Sequence, residues 1–438
     1  MIYGGDGLAR LPADEKGRGK AVFVPFVLPG ERIEATITEQ KPGFARARLE
    51  SVLKPSPLRV EPACPYFRKC GGCHYQHAGY EHQLAIKKEV LFEALKRTTK
   101  LDMEVEVQVH PSPPWNYRNR SRLKVQNAPE FKAGYFKMSS HELLAVEQCP
   151  ISSQLINGGI AALWQSGRAG KVPGGVTEIE FFANAEDTQL LIEVLAKSDT
   201  RRAALRAWSE DFRTALPEIV GVVVSRESQN GSQHAVERLL TVGADHLMYR
   251  TARATYRVTA GSFFQTNRFL TDELVRIVTE GQSGEVGLDL YAGVGLFSTA
   301  LSDMLHLVSV EWSPTSTGDL SYNLPSKAEA VRATTEQYLS GSAKTRQPGK
   351  GGNPPVRRKP DLAVVDPPRA GLGERVAGML VTLGAPRVIY VSCDPVTLAR
   401  DLVVLLAGGY RMEKVHMVDL FPQTFHLETV VHLAHGIA

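Results

Sequence analysis

Apolar and polar positions along the chain fall into three regimes. Up to about residue 55 the apolar residues come in short runs or alternate with polar ones, separated by glycine and proline turns. Residues 21–27 are an apolar run, Pro29-Gly30 a turn, and residues 32–37 and 45–49 alternate with period two. Gly4-Gly5-Asp6-Gly7 reads as a further turn. Short strands with this spacing predict a small β-barrel. Lys54-Pro55-Ser56-Pro57 reads as a linker. Residues 80–97 then have helical periodicity, with Leu84, Val90, Leu91 and Leu95 on an apolar face and Lys87 and Lys88 expected in solvent. Residues 151–260 are less patterned: strands are expected at 176–182, 189–194 and 219–224, a helix at 203–216, and no catalytic constellation. From Glu285 buried-strand runs (286–290, 307–310, 361–365, 388–391) alternate with helical stretches, the last of them 396–406 with Leu398, Leu402, Leu405 and Leu406. That alternation predicts a parallel α/β sheet.

The strand ends of this last region carry chemistry. Cys393 lies where the strand 388–391 gives way to a helix, with Asp394 as N-cap and Pro395 in the first helical position. A helix N-terminus favours a thiolate, whereas the charge of Asp394 opposes it. On this segment alone an inert buried cysteine is an equally good reading. The strand 286–290 leads into Tyr291-Ala292-Gly293-Val294-Gly295, and Glu311 follows Asp289 by 22 residues at the end of the next strand. Glycines for close approach and a carboxylate for ribose hydroxyls are the logic of a nucleoside site. The dinucleotide fingerprint would place a third glycine at Ser298, so the pattern points to a mononucleoside ligand such as S-adenosylmethionine. Asp366-Pro367-Pro368-Arg369 forms another polar strand tip, with Arg369 available to a phosphate. Residues 347–355 read as a basic, glycine- and proline-rich surface insertion.

Composition adds limits. A chain of 438 residues, 43% hydrophobic and 22% charged, is an ordinary globular protein of two to four domains. No apolar run approaches the roughly 20 residues needed to span a bilayer, so no membrane partner is expected. The first ten residues lack a secretion signal, and a cytoplasmic location is expected. The net charge of +4 is too small to imply a polyanion partner, so its distribution matters more. Lys16, Arg18 and Lys20 cluster in one loop, and Arg118, Arg120, Arg122, Lys124, Lys132 and Lys137 face one local acid, Glu130. Trp115, Tyr117, Phe131, Tyr135 and Phe136 interleave with them, which fits either a single-stranded RNA surface or a solvated amphipathic hairpin. Of five cysteines, Cys64, Cys70 and Cys73 have the spacing C-x5-C-x2-C and Cys149 can complete a set of four. This indicates a metal centre, zinc or iron–sulfur alike, with Cys393 left over and His74 and His77 as bystanders.

Taken together, residues 4–10, the four cysteines, Phe263-Phe264-Gln265, residues 289–295 and 366–371, Ser392-Cys393-Asp394-Pro395 and residues 421–428 resemble the RNA uracil-5-methyltransferase family. The match is to its branch with a TRAM domain and an iron–sulfur cluster, and it covers nearly the whole chain. The resemblance implies an α/β fold: a Rossmann-like S-adenosylmethionine-dependent methyltransferase domain, an N-terminal OB-like β-barrel (TRAM) and a small α/β central domain carrying the cluster. The implied domains are 1–55, 60–260 and 261–438, with part of about 80–110 packing on the last. It implies a [4Fe-4S] cluster on Cys64, Cys70, Cys73 and Cys149, Cys393 as nucleophile and Glu428 as base, with His426 as the rival base. Gln265, Tyr291, Glu311 and Asp366 resemble the family's cofactor contacts, although Gln265 and Asp366 can equally serve the uracil. Phe263 is a stacking candidate, the alternative being core packing. The sequence departs from the family in its insertion near 340–360, and in Leu296, where some relatives carry Asn. The expected activity is C5-methylation of a uridine in 23S rRNA by a monomer, with tRNA as the alternative substrate. A non-catalytic RNA-binding or assembly factor is the rival of another class, disfavoured because nucleophile, base and cofactor acids are all present.

Overall fold

The computed structural model describes residues 1–11, 19–100, 105–227, 236–341 and 359–436. Lys16, Arg18 and the insertion at 347–355 lie outside them. Strands β1 (Asp6–Arg10), β2 (Ala21–Pro25), β3 (Arg32–Gln40) and β4 (Phe44–Lys54) form one sheet in the order β1-β2-β4-β3. Among the described residues β1 and β3 do not pair, so the sheet is open and the expected barrel does not close. Most side chains of β3 are exposed among the described residues, Ile37 included. The core here is small, built from Val22, Val24, Val27, Ala45 and Ala47. On β4 the alternation does hold, with Ala45 and Ala47 buried and Arg46 and Arg48 outward.

Helix α1 (Tyr80–Thr99) buries Leu84, Val90, Leu91 and Leu95 as its periodicity predicts, and packs against a helix of the C-terminal sheet. Lys87 is a correction: it is 1% exposed, not in solvent. Its Nζ lies 2.6 Å from Asp419 Oδ1 and donates to the Phe421 carbonyl at 2.9 Å. Tyr80 donates to the second oxygen of Asp419 at 2.9 Å. The helical wheel marked Lys87 as polar, and it faces inward because its partner arrives from more than 300 residues away. Strand β5 (Val107–His110) follows and joins the C-terminal sheet.

Strands β6 (Arg120–Gln126), β7 (Lys132–Phe136) and β8 (Leu143–Ala145), helix α2 (Gln154–Arg168), β9 (Val176–Ala183), β10 (Leu190–Ala196), α3 (Arg202–Ala215), β11 (Ile219–Glu227) and β12 (Val236–Gly243) build a central α/β unit. Its sheet runs β12-β11-β10-β9-β6-β7-β8, and α2 and α3 pack on one face. Helix α2 went unseen in the sequence because Gly158-Gly159 and Gly167 look like breakers. Gly159 and Gly167 are the close-packing positions: a Cβ would come within 2.7 Å of the Phe181 ring and 2.2 Å of the Phe131 ring. Arg122, Lys124, Lys132 and Lys137 of the basic stretch are part-exposed and engaged in ion pairs. Arg122 stands opposite Glu180 and Lys124 opposite Glu178 on β9, each ion-paired across the strands, and Lys137 pairs with Glu142. Tyr117 is fully buried. A local window could not see Glu178 and Glu180, which another strand delivers.

The hairpin β13 (His246–Arg250) and β14 (Thr255–Thr259) and helix α4 (Thr271–Thr279) lead to the C-terminal sheet. This contains β15 (Val286–Leu290), α5 (Leu296–Ala300), β16 (His306–Glu311), α6 (Pro314–Asn323), β17 (Glu329–Arg332), α7 (Thr335–Leu339), β18 (Leu362–Val365), α8 (Gly373–Leu383), β19 (Arg387–Ser392), α9 (Pro395–Ala407), β20 (Tyr410–Val418) and β21 (Glu428–His435). The order is β17-β16-β15-β18-β19-β21-β20-β5, with β15 to β19 parallel and β21 inserted antiparallel. The order reverses between β15 and β18, and the crevice at the carboxyl ends of those strands is where such sheets bind ligands. Helix α1 covers α9. Among the described residues no helix is long and apolar enough to cross a membrane.

Removing Lys87 would leave the Asp419 carboxylate buried without its counter-charge. Lys87→Met is therefore expected to cost about 3–5 kcal/mol, the usual penalty for breaking one side of a buried pair. Urea unfolding measures it, and a variant as stable as the parent would show that the pair contributes nothing.

Candidate active site

Four strand ends converge at the crevice. β15 runs into Tyr291 and Gly293, β16 ends on Glu311, β18 is followed by Asp366, and β19 is followed by Cys393. Because β21 runs antiparallel beside β19, its first residue lies at the same end. Thr429 pairs with Ser392, so Glu428 begins its strand next to the residue that bears the thiol. The inserted antiparallel strand is thus what brings an acid to a cysteine.

The cofactor candidates come together. Gln265, Tyr291 and Asp366 line one cavity with Gly293 and Phe263. Gly293 has φ +56 and open space where a Cβ would stand, a backbone cradle of the kind a ligand can enter. Tyr291 itself sits at φ +63, which costs a non-glycine residue about 1–3 kcal/mol and is typical of functional turns. Glu311 accepts from Gly293 N at 3.0 Å and Ser313 N at 2.7 Å, holding the loop against β16. Asp289 is fully buried beneath the loop, takes the Ser298 hydroxyl, and keeps its Oδ1 without a partner. Burial pushes its carboxyl up to about 7. Asp366 is likewise pushed up to about 7, by burial and then by the charge of Asp289. Phe263 is 62% exposed, which excludes the core-packing alternative.

Around Cys393 the expected helix cap is present: Asp394 Oδ1 accepts from Val396 N at 2.9 Å and Thr397 N at 3.0 Å. Of the two opposed influences on the sulfur, the helix terminus and the acid charge, the second prevails. Burial pushes the Cys393 thiol up to about 12, reinforced by the charges of Glu428 and Asp366, with Arg369 opposing. The amides that would favour an anion are already taken by Asp394, which explains why the helix terminus fails to activate the sulfur. Glu428 is 4% exposed. Burial, then Asp366, holds its carboxyl well above the usual range, with Arg369 pulling the other way. His426 is held down to about 3 by burial and by Arg369, whose guanidinium lies 3.4 Å from both ring nitrogens.

The loop between β20 and β21 is fixed from the N-terminal half. His74 N and Tyr75 N donate to the Gln423 carbonyl at 2.8 and 2.9 Å, and Gln423 N donates to Gln83 Oε1 at 3.0 Å. The Tyr117 hydroxyl donates to the Pro422 carbonyl at 3.0 Å. Sequence reasoning missed these supports, together with Tyr3, whose hydroxyl reaches Asp394, and the Asp289–Ser298 pair. Contacts spanning hundreds of residues leave no local signal; only the Asp289–Ser298 pair was within reach, nine residues apart on a strand and the helix after it.

Cys64, Cys70, Cys73 and Cys149 line a single cavity of about 580 Å³, together with Arg118 and Tyr135. His74 and His77 do not line it. Burial raises the thiols of Cys64, Cys70 (to about 11) and Cys73 (to about 12). The Nε of Arg118 is buried without a partner. Among the described residues no group of three or more His, Cys, Asp or Glu is arranged to hold a metal ion.

With this geometry in view, comparison with known proteins is specific. The sequence profile of the tRNA (uracil-5-)-methyltransferase family matches residues 79–436, and that of the TRAM domain matches residues 3–49. An uncharacterised RNA methyltransferase of Aquifex aeolicus is 31% identical, over 99% of this chain and 96% of the relative. The 23S rRNA (uracil(1939)-C(5))-methyltransferase RlmD of Shewanella denitrificans is 30% identical, over 94% of this chain and 91% of the relative. The crystal structure of the Pyrococcus abyssi tRNA (uracil-54, C5)-methyltransferase in complex with S-adenosyl-L-homocysteine superposes with a TM-score of 0.74, covering 98% of this chain and 99% of that one at 24% identity. At that identity the likeness speaks for the fold: an α/β S-adenosylmethionine-dependent methyltransferase with an N-terminal TRAM domain. The chain is an enzyme, and it belongs to the RNA uracil-5-methyltransferase family.

Proposed function

We propose that this enzyme methylates C5 of a specific uridine in large-subunit ribosomal RNA through a covalent adduct between Cys393 and C6 of the base. The observation that carries this reading is the juxtaposition of Cys393 and Glu428 at one end of β19 and β21, beside the Gly293 crevice. The ribosomal target is supported by the Shewanella denitrificans relative, aligned over nearly the whole chain. We also propose the division 1–55, 60–260 and 261–438, with α1 and β5 physically part of the third unit.

C5 of uracil is a weak nucleophile. Cys393 Sγ, once deprotonated, adds to C6, and the C5=C6 π electrons move to C5. S-adenosylmethionine supplies an electrophilic methyl group on a sulfonium; Gln265, Tyr291, Glu311 and Asp366 would hold it. C5 would take the methyl group as the S–CH3 bond breaks and the neutral thioether S-adenosyl-L-homocysteine leaves; Glu428 then removes the remaining C5 proton, and the returning electrons expel the thiolate. Glu428 suits this role better than His426, because a raised carboxyl pKa makes the ionised form a stronger base while His426 is held down to about 3. Since only the carboxylate accepts a proton, release should speed up as pH rises through the titration of Glu428. In this reading Phe263, exposed and lining the same cavity, would stack on the target base.

We further propose that Cys64, Cys70, Cys73 and Cys149 hold a [4Fe-4S] cluster. The four thiols share the lining of one cavity of about 580 Å³, which has room for more than one ion, and the unpartnered Arg118 Nε suits a group of net negative charge. Methyl transfer from a sulfonium needs no electron. The cluster's role in this reading is to brace Cys149 and the strands before it against Cys64–Cys73.

Three outcomes test these readings. Mapping 5-methyluridine in ribosomal and transfer RNA, with and without the protein, should show loss at a 23S position that the parent restores and Cys393→Ala does not. Restoration by the alanine variant would remove Cys393 from the mechanism, and loss confined to tRNA would overturn the target. With Glu428→Gln, a methylated covalent enzyme–RNA adduct should accumulate on denaturing gels; accumulation in His426→Ala instead would transfer the base to His426. Anaerobically purified protein should contain iron and sulfide and absorb in the visible, and Cys149→Ala should lower RNA affinity while S-adenosylmethionine still binds. A colourless protein with one zinc ion would overturn the cluster, and full RNA affinity in Cys149→Ala would overturn the brace.

A further inference from the structure

The first residues of the chain cross the rim of the catalytic crevice. Met1 and Tyr3 pack against the hydrophobic core under the C-terminal sheet, not against the small core of their own domain. The Tyr3 hydroxyl donates to Asp394 Oδ2 at 3.1 Å. Its ring meets Phe425 edge-on, with centroids 5.5 Å apart and planes at 89°. Gly5, at φ +93, brings the backbone so close that a Cβ there would lie 3.6 Å from the Cβ of Phe425. Tyr3 therefore touches both loops of the proposed chemistry: Asp394 follows Cys393, and Phe425 precedes Glu428 by three residues.

The carboxylate of Asp394 is divided between two tasks. Oδ1 caps α9 through Val396 N and Thr397 N, and Oδ2 accepts from Tyr3. Both bonds draw negative charge off a carboxylate adjacent to Cys393. The groups facing that sulfur are Asp394 on its own loop, Asp366 and Arg369 from the end of β18, Glu428 from β21 and Tyr3. Three of the five are acids, so how well each is satisfied decides how readily the thiol ionises.

We propose that Tyr3 is a positioning residue for methyl transfer: it clamps the Cys393 loop to the Glu428 loop and, by donating to Asp394, eases formation of the Cys393 thiolate. The proposal rests on Cys393 being the nucleophile. It makes the N-terminal domain part of the catalytic apparatus. Tyr3→Phe keeps the ring on Phe425 and removes only the hydroxyl, whereas Tyr3→Ala removes both.

The test uses the full-length protein and three readouts: the pH profile of Cys393 alkylation by iodoacetamide, followed by peptide mass spectrometry; the single-turnover rate of covalent adduct formation; and RNA affinity. Tyr3→Phe is expected to shift the alkylation profile to higher pH and to slow adduct formation about tenfold, the size expected for one hydrogen bond to a charged group, with RNA affinity unchanged. Tyr3→Ala should slow it further, and a melting curve for each variant verifies that it is folded. An unchanged alkylation profile and adduct rate in Tyr3→Phe overturns the proposal. So does a variant whose only defect is weaker RNA binding, which would make Tyr3 an RNA contact. Alkylation requires no turnover, so it reports on Tyr3 and Asp394 even if Cys393→Ala were to retain methyl transfer and the nucleophile assignment failed.

Discussion

The buried ion pair between Lys87 and Asp419 is the constraint on which the geometry of the site depends. Both side chains are essentially out of water, at 1% and 0% exposure. Burial alone would push the Lys87 ammonium toward its neutral form, and Asp419 counters that. In such surroundings neither charge is tolerable without the other, so the two elements that carry them must dock in one register. Those elements are α1, from the N-terminal half, and the loop that leads into β21. Lys87 also binds the Phe421 carbonyl, and Gln83, one turn earlier on the same face, grips Gln423. The base-bearing loop is therefore shaped by residues that have no part in the chemistry.

The same loop explains why a cysteine and a glutamate meet. A purely parallel sheet would carry the end of β21 to the far side of the domain. Antiparallel insertion beside β19 returns it, and Glu428 arrives at the level of Cys393. The result is a crowded set of acids: Asp289, Asp366 and Glu428 are all pushed toward their neutral forms. Burial of this kind disfavours the thiolate and makes each carboxylate a stronger base once it ionises.

The sequence was most informative where the chemistry is local. The strand–cap–proline–helix pattern around Cys393 and the Gly293 loop with its distant Glu311 are read directly from neighbouring residues, and the structure has them in those elements. It was least informative where the partner is remote. Lys87 looked like a solvent-facing helix position, and Arg122 and Lys124 looked like free cations, because Asp419, Glu180 and Glu178 were invisible to a window of a dozen residues. The N-terminal strands looked like a barrel because period-two alternation specifies a strand but not what covers it, and β3 has little to cover it. Helix α2 was hidden by glycines whose absent side chains are what let it approach Phe181 and Phe131.

One feature of the sheet bears on how the chain is made. Strand β5 pairs in parallel with β20, Val107 opposite Val415, and covers the edge of the C-terminal sheet. On a ribosome β5 emerges about 300 residues ahead of its partner, which at about 5–20 residues per second is a wait of some 15–60 seconds. During that interval the central unit can fold, while α1 and β5 have nothing to dock on. Vectorial synthesis thus assembles the catalytic sheet last, and assembles it around a segment translated first. The protein cannot be divided at residue 261 into a nascent amino half and a self-sufficient catalytic half, because the second would emerge with an uncovered edge strand and without the lysine that Asp419 requires.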